Sequence, residues 1–256
     1  MYSTDPLPTD RERLRWFEDA LDPGTTKYLS DLGVAPGWHC LELGGGGGSI
    51  AAWLCARVAP TGRVVATDLD TRFLEAIDCP PLEVWRHDLT ADDLPEATFD
   101  LIHVRAVLSC LPRRERAVDQ IVGALRPGGR VLIEEPDCTS EAIVGRPGAA
   151  LDRGSKLINR KNRLLEAHGF DTLFAREVYL GLIDRGLADV AAEGRVAITR
   201  GGSSLARFYQ ASMHEVAPEG KISLGEINEY FECIENPAYV YMWPIMVATL
   251  GRKAST

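Results

Sequence analysis

Five consecutive glycines, Gly44 to Gly48, stand between an apolar run ending Leu41-Glu42-Leu43 and a helix-forming run opening Ser49-Ile50-Ala51. Glycine weakens the interior of a strand or helix, so a run of it belongs where the backbone takes positive φ or approaches a ligand closely. A strand–glycine–helix junction therefore commits the chain to an α/β architecture with something small and flat lying over the loop. The flanking sequence agrees. Short β-rich runs at 39–43, 63–67, 82–86, 99–104 and 130–134 alternate with helical stretches at 49–58, 71–77 and 114–125, the pattern of βαβ units around a parallel sheet. Right-handed crossovers then gather the loops that follow the strands at one rim of the sheet.

Two segments exceed what a connection requires, 139–188 before a sixth strand at 189–199, and 201–239 before a seventh at 243–250. They are expected to form lids or substrate-binding insertions on a single domain spanning 1–256. Residues 1–36, with helical stretches at 9–21 and 25–32, are expected to cover the same rim. The length of 256 residues suits one large domain of this kind, and 45% hydrophobic with 25% charged residues is a globular composition. The net charge of −9 disfavours nucleic acid and anionic membrane as partners, since neutralising phosphates takes clustered cations. The first sixteen residues carry charges and prolines where an export signal needs an apolar core, which predicts a cytoplasmic protein. The apolar run at 240–250 contains Pro244 and is far short of the roughly 20 residues that span a bilayer. The six cysteines lie apart, without metal-ligand spacing, and are expected to be free thiols; no metal site is expected.

The ligand's character can be read at three successive strand ends. A glycine run also suits a dinucleotide, and Gly46, Gly48 and Ala51 meet the looser GxGxxA spelling. Glu42, however, would repel a pyrophosphate and attract an ammonium or sulfonium. Asp68 follows roughly 20 residues later, at the offset where a carboxylate takes ribose hydroxyls, and Leu69 offers an apolar face to a base. Asp88 can accept from an exocyclic adenine amine while Leu89 closes the other face.

Together Glu42-x-Gly44-x-Gly46-x-Gly48, the VVATDLD stretch holding Asp68, the HDL at 87–89, FDLIHVR at 99–105 and LRPGGRVLIEEPD at 125–137 resemble the class I S-adenosylmethionine-dependent methyltransferases. The resemblance runs from about residue 22 to 130. It implies a Rossmann-like doubly wound sheet of seven mostly parallel strands closed by an antiparallel C-terminal hairpin, and S-adenosyl-L-methionine as cofactor. It further implies that Glu42 faces the methionine amino group, with Gly44, Gly46 and Gly48 beneath the cofactor. Asp68 then faces the ribose and Asp88 the adenine, while Arg105 lies at the methionine end and the substrate mouth. No Asn/Asp-Pro-Pro-Tyr motif follows the fourth strand, where Val104-Arg105-Ala106-Val107 stands, so the resemblance is to the small-molecule branch. The expected reaction is transfer of a methyl group to O, N or C of a small metabolite. An NAD(P)-dependent oxidoreductase and a protein that binds S-adenosylmethionine without transfer are the alternatives.

In-line methyl transfer asks chiefly for alignment, plus a base where the acceptor must lose a proton. His214 and Glu135 are the expected catalytic residues. Trp16, Asp137 and Phe208 are expected on the acceptor side, and His103, inside a strand, as a structural histidine. Arg153, Lys156, Arg160 and Arg163 fall on one face of a helix through 151–167, opposite Leu157, Ile158, Leu164 and Leu165, as a solvated amphipathic helix requires. Self-association is possible for a lid region of this length.

Overall fold

The computed structural model describes residues 9–145, 149–216 and 224–255, with side chains for all of these but 149–150, 213–216 and 224–227. Its central sheet holds β1 (His39–Leu43), β2 (Arg63–Asp68), β3 (Leu82–Arg86), β4 (Phe99–Arg105), β5 (Leu125–Asp137), β7 (Ala188–Arg195) and β10 (Ile245–Arg252), in the spatial order β3-β2-β1-β4-β5-β10-β7. The first five pair in parallel, and β10 runs antiparallel to both β5 and β7. The fold is thus the seven-stranded Rossmann-like sheet with an antiparallel C-terminal pair that the sequence pattern implies.

Alternation along the strands sorts the sheet's two faces. Leu41, Leu43, Ile102, Val104, Val131 and Ile133 point to the side covered by α3 (Arg114–Ala124) and α5 (Val178–Asp184). Cys40, Leu101 and Leu132 point the other way, into a cluster with Tyr28, Leu29, Leu54 and Val58 from α1 (Asp10–Asp31) and α2 (Ser49–Val58). A period of two then places Glu42, His103 and Glu134 on this second face as well, stacked beneath α1.

Four elements differ from the sequence expectation. Residues 9–21 and 25–32 are not two helices but one, α1, which runs through Pro23. A capping box between Thr9 and Glu12 opens it. Although Pro23 brings no amide, the Thr26 hydroxyl donates to the Asp22 carbonyl at 2.8 Å, and Thr25, Tyr28 and Leu29 beyond it are buried. The stretch 71–77 makes turns instead of a helix, because the Asp68 and Asp70 carboxylates accept from the Asp70 and Arg72 amides and hold the backbone in side-chain-stabilised turns. The sixth strand candidate divides, and the seventh, expected to open at 243, opens at 245 behind a separate short strand. Residues 196–197 part β7 from β8 (Ile198–Arg200), and Pro244 parts β9 (Val240–Met242) from β10. The two breaks lie side by side, with Trp243 N donating to Ala197 O at 2.9 Å.

Beyond these breaks the insertions build a cap. β6 (Ala142–Val144), β9 and β8 form an antiparallel three-stranded sheet, joined by α4 (Ala149–Ala167), α6 (Ser204–Val216) and α7 (Leu224–Glu235) around a separate apolar cluster that includes Leu157, Ile158, Leu205, Phe231, Ile234 and Trp243. Leu157, Ile158 and Leu164 are buried, and Arg153, Lys156 and Arg163 are exposed, as the amphipathic pattern of α4 requires. Lys161 breaks that pattern. It is buried and ion-paired with Glu141, whose other oxygen accepts from the Tyr230 hydroxyl. The cap rests on α1 through α6, where the Phe17 and Phe208 rings meet at 4.6 Å between centroids. Among the described residues, no helix is long and apolar enough to cross a membrane.

Candidate active site

Two cavities open above the carboxyl ends of the strands. The first, about 470 Å³, runs along the rim past the ends of β1, β2, β3 and β4. Glu42, Gly44, Gly46, Asp68, Leu69, Asp88, Leu89 and Arg105 line it; of the expected cofactor residues, only Gly48 is absent from its wall. The glycines take the conformation the run demands, with φ of +67° at Gly44, +51° at Gly46 and +90° at Gly48. Gly44 and Gly47 also lack room for a side chain, since a Cβ would overlap Val107 at the one and Glu18 with Arg11 at the other. Asp68 braces the loop, its Oδ2 accepting from Gly46 N at 2.9 Å. Leu69 stands 60% exposed, so its side chain is open to a flat partner. Asp88 accepts from the Thr90 amide and hydroxyl through Oδ1, which holds its carboxyl below the usual range.

Sequence reasoning passed over several lining groups. Leu14 and Glu18 reach the cavity from α1 on either side of Phe17, at the three- and four-residue spacing of one helix face. Glu18 Oε1 and His87 Nε2, both in this wall, are buried without a hydrogen-bond partner. Burial raises the Glu18 carboxyl and lowers the His87 imidazole, which makes each readier to be neutral. Asp10 and Arg72 form an ion pair that ties the first turn of α1 to the loop after β2, over the cavity.

The second cavity, about 390 Å³, lies between α1, the end of β5 and the cap. Its walls are mainly apolar and aromatic, with Phe17, Phe170, Phe208, Tyr209 and Trp243, and Tyr209 stacks on Trp243 at 5.2 Å. Arg13, Phe17, Ala106, Cys110 and Phe208 line both cavities, so the two meet there. Ala106 has φ +54°, an uncommon conformation for a residue with a Cβ, and its amide donates to Glu134 O at 2.8 Å.

Beneath the junction runs a buried polar array. His103 Nδ1 lies 2.6 Å from Glu42 Oε2, and His103 Nε2 lies 3.1 Å from Glu134 Oε2. The Thr25 hydroxyl donates to Glu134 Oε2 at 2.6 Å and accepts from Arg105 Nη1, whose Nη2 pairs with Asp22. Burial disfavours charge on His103, yet the carboxylates on either side outweigh it and push the imidazole up to about 9. His103 is therefore a satisfied buried histidine, and a cationic one. Burial likewise works against the Glu134 anion, but His103, Thr25 and Arg105 together bring that carboxyl below its usual range.

Several expected residues sit elsewhere. Glu135 lies in neither cavity wall: fully buried, it accepts from the amides of Val107, Leu108 and Ser109 and from the Ser109 hydroxyl. Strand alternation turns it away from Glu134, so it anchors the loop after β4 and has no surface on which to act as a base. Asp137 is also outside both walls, capping a short turn through the Thr139 amide and pairing with Arg176. Trp16 points away from the cavities to a cation–π contact with Arg207 at 6.0 Å, and its neighbour Phe17 takes the expected place. Phe208 lines both cavities. His214 belongs to the last turns of α6, and its side chain lies outside the described residues. Among the described residues no three His, Cys, Asp or Glu side chains converge as metal ligands would.

Residues 41–131 match a protein family described as a methyltransferase domain. The chain is 32% identical over 143 residues to methyltransferase str2 of Strobilurus tenacellus, covering 52% of this chain and 50% of that one. It is 30% identical over 115 residues to the ubiquinone/menaquinone biosynthesis C-methyltransferase UbiE of Laribacter hongkongensis, covering 42% and 46%. The chain thus spans about half the length of these curated relatives. A phosphoethanolamine N-methyltransferase 2 of Haemonchus contortus, solved in complex with S-adenosyl-L-methionine, superposes with a TM-score of 0.56 at 16% identity, over 91% of this chain and 52% of that one. Residues 41–131 thus match a methyltransferase domain, on a fold shared with the methyltransferase solved with S-adenosyl-L-methionine.

Proposed function

We propose that this protein transfers a methyl group from S-adenosylmethionine to a small, largely apolar acceptor held in the second cavity. The carrying observation is the meeting of a polar, carboxylate-rimmed cavity with an aromatic one at Phe17, Ala106, Cys110 and Phe208. The first cavity fits the cofactor. At Gly44 its floor leaves no room for a side chain, the Glu42 carboxylate suits an ammonium, Asp68 suits ribose hydroxyls, and Leu69 and Leu89 suit the faces of an adenine. When bound, the cofactor supplies a methyl group already activated on a sulfonium. The chain then has to orient and to exclude water, and α1 with the aromatic cap does both by closing over the junction. Arg105, held between Asp22 and Thr25 and lying over the Phe17 ring at 5.0 Å, fixes the height of α1 above the strand ends.

Calorimetric titration with S-adenosylhomocysteine tests the cofactor half. Binding is expected, and Asp68→Ala is expected to weaken it at least tenfold, since hydrogen bonds to a charged group contribute about 1.5–3 kcal/mol each. Binding of NAD in place of S-adenosylhomocysteine would overturn the assignment. Incubation with methyl-labelled cofactor and a metabolite extract then reads out transfer.

A further inference from the structure

We propose that the second cavity takes an amine whose nitrogen faces Glu134, and that this carboxylate stabilises the positive charge that methyl transfer moves onto the nitrogen. The proposal rests on the methyl-transfer reading above and names its acceptor class. Glu134 is the only acid among the described residues lining that cavity, and it is 2% exposed. Its Oε2 is taken by His103 and Thr25, while Oε1 has no hydrogen-bond partner among the described residues. Because its carbonyl holds the amide of Ala106, Glu134 sits at the junction, where the methyl group must cross.

The chemistry separates an amine from a hydroxyl. A neutral amine attacks the methyl carbon with its lone pair, and the electron pair of the S–C bond returns to sulfur, leaving a neutral thioether and a methylated ammonium. No proton moves in that step: an amine that enters protonated first gives its proton to water, and the methylated ammonium loses another afterwards. What the step asks of the protein is a fixed anion near nitrogen, and oriented charge in a site closed to water meets that demand. A hydroxyl acceptor ends neutral only by giving up its proton, which calls for a base titrating near the working pH. Glu134, held ionised by His103 below the usual carboxylate range, is a poor base and a permanent anion. The rings of Phe17, Phe208, Tyr209 and Trp243 around it offer faces that attract a cation. His103 and Arg105 meet it on the Oε2 side, the one directly and the other through Thr25, and two further cations, Arg195 and Arg13, stand in the wall. Arg195 is exposed and lies over the Tyr28 ring, and Arg13 stands in the wall shared with the first cavity.

The test uses the full chain loaded with S-adenosylhomocysteine and reads binding by calorimetry at pH 7.5. The probes are tryptamine and 2-phenylethylamine, whose protonated nitrogens carry the charge of the methylated product, against tryptophol and 2-phenylethanol, which differ only in the hydroxyl. The amines are expected to bind at least tenfold tighter than their alcohols, and Glu134→Gln to bring the ratio close to one. Should that variant not fold, Glu134→Asp, which withdraws the carboxylate by one methylene, is expected to lower the ratio severalfold. Alcohols binding as tightly as amines, amines failing to bind the loaded protein, or a ratio that survives both substitutions would overturn the proposal while leaving methyl transfer intact. Absence of S-adenosylhomocysteine binding would overturn both.

Discussion

Raising the pH should loosen this protein through His103. The imidazole is fully buried between Glu42 and Glu134, and its ordinary value of 6.5 is pushed up to about 9. A group that binds its proton more tightly when folded adds stability that is complete below its unfolded value and is lost as pH rises through its folded value. Each tenfold change in proton affinity is worth about 1.4 kcal/mol, so His103 contributes about 3 kcal/mol in acid and about 1 kcal/mol at pH 8.5. Between pH 7 and 8.5 the protein should therefore lose about 2 kcal/mol against urea. That window lies above the titration of His39 and His87, whose imidazoles burial moves the opposite way, and below most of the titration of the buried thiols. The direct assay is proton NMR of the imidazole signals, tractable because the chain has five histidines. If the His103 signal titrates at or below 6.5, or if urea stability is flat from pH 7 to 8.5, the buried cation is absent and the account of the array fails.

Two further outcomes test the scaffold. Glu135→Gln keeps one oxygen for the Val107 and Leu108 amides but turns its NH₂ toward the Ser109 amide, and should cost about 2 to 3 kcal/mol in thermal or chemical unfolding, with no change in the pH dependence of any catalysed reaction. Lys161→Met leaves Glu141 buried without its cation and should cost about 3 to 5 kcal/mol in chemical denaturation, while Lys161→Met with Glu141→Leu should recover most of it; no recovery would mean the pair is not isolated.

The strands were legible as short β-rich runs alternating with helical stretches, and the strand-end residues Glu42, Asp68 and Asp88 follow from strand position. The helix through Pro23 was not legible. Its continuity depends on Thr25 and Asp22 meeting Glu134 and Arg105, partners more than eighty residues away. Local rules likewise misplace Lys161, one more cation on a basic helix until Glu141, twenty residues earlier, draws it inward. Glu134 and Glu135 are neighbours of the same type, and only the register of β5 beside β4 tells which one faces α1 and which one ties the loop. The second cavity was the least legible part. Its walls come from segments that no motif connects, and the two strand breaks at 196–197 and at Pro244 that bring the cap over them depend on each other.

α1 serves as a party wall between two rooms. Leu14 and Glu18 face the first cavity, Ala20 and Leu21 face the second, and Arg13 and Phe17 face both. The three groups of substitutable positions therefore differ in what they can alter. Enlarging Ala20 or trimming Leu21 reshapes the second cavity alone, whereas any change at Phe17 remodels both at once.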